Sequence, residues 1–348
     1  MSCFYFFAGV ALLSLTVSVS SFMVVGDEKL HHLHHVKHTA LFNYFLEQHN
    51  KTYATLVEYY SRLHIFSGNL RKIQLLQDTE HGSGVYGLNE FSDLSTAEFQ
   101  AKYLGFKLKP SYADRSVPAM IPNITLPRAF DWREYDAVTG VKDQTMCGSS
   151  WAFSTTGNIE GVYAAKTKKL VSLSEQELID CDQEDDGCEG GSISNAFDTI
   201  MSKLGGGLEE EKTYPYRGDD KACRLNKKAT QVKINGYVSV SRDETDMAKY
   251  LVENGPMAVA INAYALQFYV TGVSHPIQFF CDGGNENLSH SVLIVGYGVD
   301  RTKFTHKAVP YWIIKNSWGE GWGEKGYFRL YRGDGSCGIN DYVRSALV

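Results

Sequence analysis

"DQTMCGSSWAFS", residues 143–154, decides how the rest of the chain is read. A cysteine, three small residues and a Trp-Ala-Phe run mark a loop that turns into a helix, expected from Trp151 to about Lys166. A local pattern of this kind would place a reactive thiol just before the tryptophan, yet that position is Ser150. Backbone N–H groups and the helix dipole favour negative charge there, which suits a nucleophile or a nascent oxyanion. On residue types alone the candidate site is Gln144, Ser150, His290 and Asn316. His290 precedes the buried-looking run "SVLIVGYG" (291–298), and Asn316 begins an aromatic, glycine-rich loop. Spacing alone cannot bring these four groups together, and a lone histidine ahead of a strand is more often structural than catalytic.

The chain has 348 residues, 43% hydrophobic and 13% aromatic, enough to bury one large core or two smaller ones. A net charge of -6 and a pI near 6.0, with no basic stripe, give no reason to expect nucleic acid or an anionic membrane as partner. Residues 1–21 read as a secretory signal peptide, whose apolar run is shorter than the roughly 20 residues of a membrane span and is followed by small residues around Ser20 and Ser21. Once it is removed no membrane association is expected. Cys3 leaves with it, and Cys147, Cys181, Cys188, Cys223, Cys281 and Cys337 remain, an even set that favours disulfides in a secreted chain while leaving their connectivity open. The spacing of "CDQEDDGC" (181–188) is too wide for the usual zinc pair, so neither metal nor organic cofactor is expected. The stretch "HHLHHVKH" (31–38) reads as a polar lead-in to a helix rather than a metal site. Glycosylation sequons occur at Asn50, Asn123 and Asn287.

From about Thr39 to Gln77 apolar residues recur at helical spacing, Phe42 and Phe45 first and then Leu63, Phe66 and Ile73, predicting two amphipathic helices. "GFKLKPSYADRSVPAMIPNITLP" (105–127) carries prolines and no apolar face and reads as an extended linker. Beyond it the strand-like runs "YVSVS", "PMAVAI", "SVLIVGYG" and "YWIIKNSW" follow the helix at 151. Helices early and strands late predict an α+β protein in two lobes.

"DQTMCGSSWAFS", "GCEGG" (187–191), "SHSVLIVGYG" (289–298) and "YWIIKNSWGEGWGEKGYFRL" (311–330) together resemble the papain family of cysteine peptidases, from Leu126 to Val348. Upstream, Glu58, Arg62, Phe66, Asn69, Ile73 and Gln77, then Gly87, Asn89, Phe91 and Asp93, resemble the two propeptide motifs of that family, and Gln77 points to its cathepsin F-like branch. The resemblance implies a papain-like two-lobed fold, with a helical left lobe and a β-barrel-like right lobe. It divides the chain into a signal peptide (1–21), an inhibitory propeptide (22–125) and a peptidase domain (126–348). Gln144 and the backbone N–H of residue 150 would form the oxyanion hole, His290 would be general base and acid, Asn316 would orient its ring, and Trp318 would shield their bond. Disulfides would join Cys147 with Cys188, Cys181 with Cys223, and Cys281 with Cys337. Substrate would lie extended along Gly191, its main side-chain pocket lined by Ile193, Ala260, Leu288, Ser291 and Tyr342 and suited to medium aliphatic groups over basic ones. The propeptide would fold as a small helical domain whose tail crosses the cleft in the non-productive direction. Expected partners are peptide or protein substrates, the chain's own propeptide and cystatin-type inhibitors, for a monomer that is secreted or lysosomal.

The nucleophile position departs from this pattern. Family members form a thiolate/imidazolium pair before substrate arrives, and an alcohol at Ser150 offers none. With all six remaining cysteines expected in disulfides, no spare thiol could act instead. The implied enzyme is therefore an endopeptidase zymogen with activity lost or much reduced, the alternative being an inactive peptide- or cystatin-binding protein. Thr145, where the family usually has glycine, and Ser289, where Asp or Asn is common, also depart from the pattern and fit natural divergence.

Overall fold

The computed structural model describes residues 36–108, 114–301 and 308–348, so the expected signal peptide (1–21) and most of the histidine-rich stretch lie outside the described residues. Chain contacts define two compact units, Met1–Gly68 and Asn69–Val348. In the first, helix α1 (36–48) and the start of helix α2 (Leu56–Asp78) bury the expected apolar face, with Phe66 5.1 Å from Phe42 and 5.2 Å from Phe45 between ring centroids. The two helices match the periodicity read from the sequence.

In the second unit, polar side chains of the propeptide-like motifs satisfy buried backbone groups. Asn69 donates through Nδ2 to the carbonyls of Ser92 and Leu94 at 2.9 and 2.8 Å, and Gln77 clasps Gly84 and Tyr86. Asn89 donates to the Gln267 carbonyl at 2.8 Å. Helix α3 (Thr96–Tyr103) is started by a capping box of Ser95 and Glu98. Tyr86, Phe91, Leu94, Phe99 and Leu104 share one core with the large sheet. That shared core explains why the contact division falls at Gly68 and not at the domain boundary near 125 expected from the sequence.

Helix α4 (Ser150–Thr167) carries "SWAFS" and is buried over most of its length. With α5 (Glu175–Cys181) and α6 (Ile193–Ser202) it contributes to a second core through Trp151, Ile159, Leu178 and Phe197. A mixed sheet of nine strands, with α7 (Glu244–Asn254) against it, forms the other half of the expected α+β architecture. The strand-like runs become Gly236–Ser239, Met257–Ile261, His290–Arg301 and Ala308–Lys315. His290–Arg301 pairs with Met257–Ile261 on one side and Ala308–Lys315 on the other, with Leu293 opposite Lys315. Pairing places His290 and Asn316 at adjoining strand ends, which spacing could not reveal. Part of the segment read as a linker is also ordered by pairing, since Val117–Pro118 adds a parallel edge strand to Val238–Ser239. All three disulfides form as the resemblance implied.

Thr145, in the loop leading to α4, has φ +54° and donates its N–H to Asp143 Oδ1 at 2.7 Å. A β-branched residue is strained in this left-handed region, whereas glycine is not. Thr145→Gly is expected to stabilise the folded chain by about 1 kcal/mol, the relief of strain exceeding glycine's larger unfolded-state entropy. The midpoint of denaturant unfolding of the full chain measures this; a lower midpoint would show that the loop carries no such strain.

Candidate active site

Ser150, His290, Asn316 and Gln144 all come together, each fully or almost fully buried. The start of α4 positions Ser150, and its Oγ accepts the backbone N–H of Ser291 at 3.2 Å. His290 donates from Nε2 to Asn316 Oδ1 at 2.8 Å, and that oxygen also accepts the Ser317 N–H at 2.9 Å. This bond leaves Nδ1 as the unprotonated ring nitrogen, buried and without a hydrogen-bond partner. Burial pushes the His290 imidazole down to about 4, with the Asn316 bond only partly opposing it. No hydrogen bond joins the Ser150 hydroxyl to this ring among the described contacts.

The Trp318 ring lies 4.7 Å from the His290 ring, tilted by 33°. Phe91 and Phe99 meet Trp318 edge-on at 5.4 and 5.3 Å, and Trp322 closes a further side at 4.8 Å. The aromatic wall excludes water from the His290–Asn316 bond, which strengthens it.

Gln144 is gripped through both ends of its amide. Its Oε1 accepts the Ser317 hydroxyl at 2.6 Å, while Nε2 donates to Cys147 O at 2.8 Å and to Tyr103 O at 3.1 Å. The Tyr103 carbonyl comes from the end of α3, upstream of the segment that crosses this region. Gly191 donates to Gly105 O and accepts from Lys107 N, both at 2.9 Å, in a parallel bridge centred on Phe106. Phe106 donates its own N–H to Ser289 O at 3.0 Å. The chain passes so near α4 here that a Cβ at Gly105 would collide with the Gly148 carbonyl.

Ile193, Ala260, Leu288 and Tyr342 belong to one buried cluster with Phe106, whose ring meets Tyr342 at 5.0 Å. The Tyr342 hydroxyl is fixed by donating to Ser194 Oγ at 2.6 Å. Ser291 lies opposite Ala260, which lies opposite Tyr342 on its other side, so the three side chains share one face of the sheet. The Ser291 hydroxyl is buried and makes no hydrogen bond among the described residues, and a cavity of about 20 Å³ is lined by Ser291, Asn316 and Ser317 with Lys142, Glu160, Glu175 and Lys315. In that cluster Lys142 bridges Glu160 and Glu175 at 3.2 and 2.6 Å, while burial lowers the Lys315 ammonium to about 8 against the pull of Glu160.

Tyr103, Phe106 and Ser317 were missed in the sequence. Phe106 had a signal, an aromatic next to glycine in an otherwise polar stretch; a contribution from the Tyr103 backbone carbonyl has none. Of the sequons, Asn50 and Asn123 are exposed, whereas Asn287 is half-buried and donates its amide to Gly283 O at 2.8 Å.

Residues 126–347 match the papain family cysteine protease family, and residues 42–99 match the cathepsin propeptide inhibitor domain (I29). Cathepsin F of Drosophila melanogaster is 45% identical over 311 residues, 88% of this chain but 50% of that protein. Cathepsin F of Mus musculus is 44% identical over 313 residues, 90% of this chain and 66% of its own length, so the chain spans half to about two-thirds of these two relatives. Cysteine proteinase 15A of Pisum sativum is 42% identical over 333 residues, covering 92% of this chain and 88% of the pea protein. Among solved structures, a digestive procathepsin L 3 from the larval midgut of Tenebrio molitor superposes with a TM-score of 0.76 at 35% identity, over 89% of this chain and 99% of that one. The proform of the ragweed pollen allergen Amb a 11 cysteine protease also gives 0.76 at 35% identity, over 89% and 93% of the two chains. With the family match covering well over half of its residues, the chain belongs to the papain family of cysteine proteases.

Proposed function

We propose that this chain is the zymogen of a cathepsin F-like endopeptidase in which the groups for binding and activating a peptide bond are assembled, while the nucleophile position holds an alcohol. The supporting observation is that Tyr103–Lys107 lies on Gln144, Gly191 and Tyr342 at once, the groups a bound peptide would need. Its bridge with Gly191 is parallel, which supports the non-productive direction expected of the propeptide tail. Phe106 stands in for the substrate side chain in the pocket of Ile193, Ala260, Leu288 and Tyr342. The pocket's apolar walls favour aliphatic groups over basic ones, and Phe106 extends that preference to an aromatic ring.

With cysteine at position 150, His290 Nδ1 would take the thiol proton and later deliver it to the leaving amine. Gln144 Nε2 and the N–H of residue 150 would hold the oxyanion once Tyr103 has left. With serine, the proton has to be removed during attack, and Oγ is already held by the Ser291 N–H. That contact also favours the second reading, a pseudoprotease that binds peptides or cystatin-type inhibitors without cleaving them. Removal of the propeptide near residue 125 then falls to another protease. Secretion or lysosomal delivery follows from residues 1–21 read as a signal peptide.

Three outcomes are expected. Ser150→Cys, processed by an added protease, should hydrolyse peptides with kcat/KM at least about a thousandfold above the processed wild type, with aliphatic or Phe side chains preferred to Arg at the main pocket. Equal rates for serine and cysteine forms would remove Ser150 from the nucleophile position. His290 should titrate near 4 in the full chain, as followed by NMR of its ring, and at higher pH once the segment is released. Because the unfolded chain takes this proton near 6.5, stability falls as pH drops from about 6.5 to about 4, by up to roughly 3 kcal/mol. A midpoint near 6.5 in the full chain would contradict the burial described. Mass spectrometry of secreted protein should find glycans at Asn50 and Asn123 and little at Asn287; full occupancy at Asn287 would show that its bond to Gly283 gives way during secretion.

A further inference from the structure

Arg344, on strand Tyr342–Leu347, is 9% exposed. Its guanidinium lies 4.0 Å from the centroid of the Tyr342 ring that also meets Phe106. Nε donates to Ser194 Oγ at 3.1 Å and Nη1 to the Val343 carbonyl at 3.0 Å, both neutral acceptors. The carboxylate that balances its charge comes from the upstream segment, as Nη2 donates to Asp114 Oδ2.

Asp114 does not bind alone. The Tyr237 hydroxyl, on a residue 2% exposed, lies 3.4 Å from Asp114 Oδ1 and accepts the Arg115 N–H at 3.1 Å. The next residues continue along the sheet edge, with Val117–Pro118 parallel to Val238–Ser239 and Ala119 donating to Ser239 O at 2.9 Å. The acidic group facing the same hydroxyl is Asp198, 3.3 Å away, whose Oδ1 is buried and makes no hydrogen bond among the described residues; burial raises its carboxyl above the ordinary range, with Arg115 only partly opposing this. For Asp114, burial works towards protonation but is outweighed by the Ser116 N–H and by Arg344, so the carboxyl stays below its ordinary value.

We infer that Arg344, Tyr237 and the edge of Gly236–Ser239 form a docking site for an extended peptide segment carrying a side-chain carboxylate, filled here by Asp114–Ala119 and open, once that segment is cut away, to an acidic stretch of a protein substrate. The backbone edge supplies affinity for any extended chain, and the buried arginine selects the acid. The later occupant rests on the zymogen reading; the site itself does not.

Hydrogen exchange on the full chain tests the site directly. Asp114→Asn should speed exchange of the Arg115 and Ala119 amides about tenfold, with Tyr237→Phe and Arg344→Gln acting in the same direction; unchanged exchange in Asp114→Asn would overturn the site. The chain cut between Met120 and Leu126 by an added protease, and separated from the released upstream fragment by size-exclusion chromatography, is then titrated with a labelled peptide of residues 112–121. The peptide with Asp at position 114 should bind about tenfold more tightly than its Asn counterpart. Equal binding of the two, or binding of neither, would overturn the docking of acidic segments. Ser150→Cys activity measured on the same cut material separates the readings: no activity with acid-selective binding intact sinks the zymogen and leaves the site standing.

Discussion

Helix α4 has almost no wet face, and the polar groups along it are tied to both neighbouring strands. Ser154 donates to the Val292 carbonyl at 2.7 Å, Asn158 donates to Pro256 O and accepts from Ala346 N at 2.8 Å each, and Gly161 leaves no room for a Cβ against Pro256. Each bond is buried, so breaking one leaves a polar group without water or partner, at about 1–3 kcal/mol. The helix cannot slide or rotate by a residue without breaking several. Its first residue, Ser150, is thereby held against Ser291, one position from His290. A further pairing carries the constraint on, from His290–Arg301 to Ala308–Lys315 and so to Asn316. Four side chains from distant parts of the sequence converge because one helix and two strands have a single register.

That rigidity has a consequence for the covering segment. The segment meets Gln144, Gly191 and the Tyr342 pocket through Tyr103 O, the backbone of Gly105–Lys107 and the Phe106 ring. Phe91 and Phe99 reach the same place from another direction by packing on Trp318. On the proposed reading the cover uses the hydrogen-bonding edges and apolar walls that an extended peptide would use, which would couple strength of inhibition to quality of the cleft. The alcohol at position 150 lies outside this coupling. Among the described residues no hydrogen bond joins the cover to the Ser150 hydroxyl, which accepts from Ser291 N–H instead.

Much of this was legible in the sequence. Helical periodicity located α1 and α2, and the four main strand runs showed as short apolar stretches, continuous rather than alternating where both faces are buried, as in Met257–Ile261. The site residues were nameable as types, yet only sheet pairing brings His290 to Asn316, and the disulfide partners followed from resemblance rather than from spacing. Ser291 was named for the same wall as Ala260 and Tyr342, and sheet pairing sets the three side by side on one face. Phe106 and Asp114 were hidden for a common reason. A polar, proline-bearing stretch has no pattern of its own when its order comes from the surface it lies on. Thr145 showed a departure from family habit, and only the backbone angle gave that departure a physical meaning.

The central proposal is that a cleft fitted to peptide is covered by the chain's own residues 103–107 and holds an alcohol at position 150 where a thiol would act. The rate at which iodoacetamide alkylates position 150 in Ser150→Cys, before and after the full chain is cut near residue 125, tests both halves together. Slow labelling in the intact chain and fast labelling after cutting, faster than a free thiol at the same pH, is the result expected of a covered site that activates sulfur. Equal labelling before and after, or labelling no faster than a free thiol once the cover is gone, would contradict it.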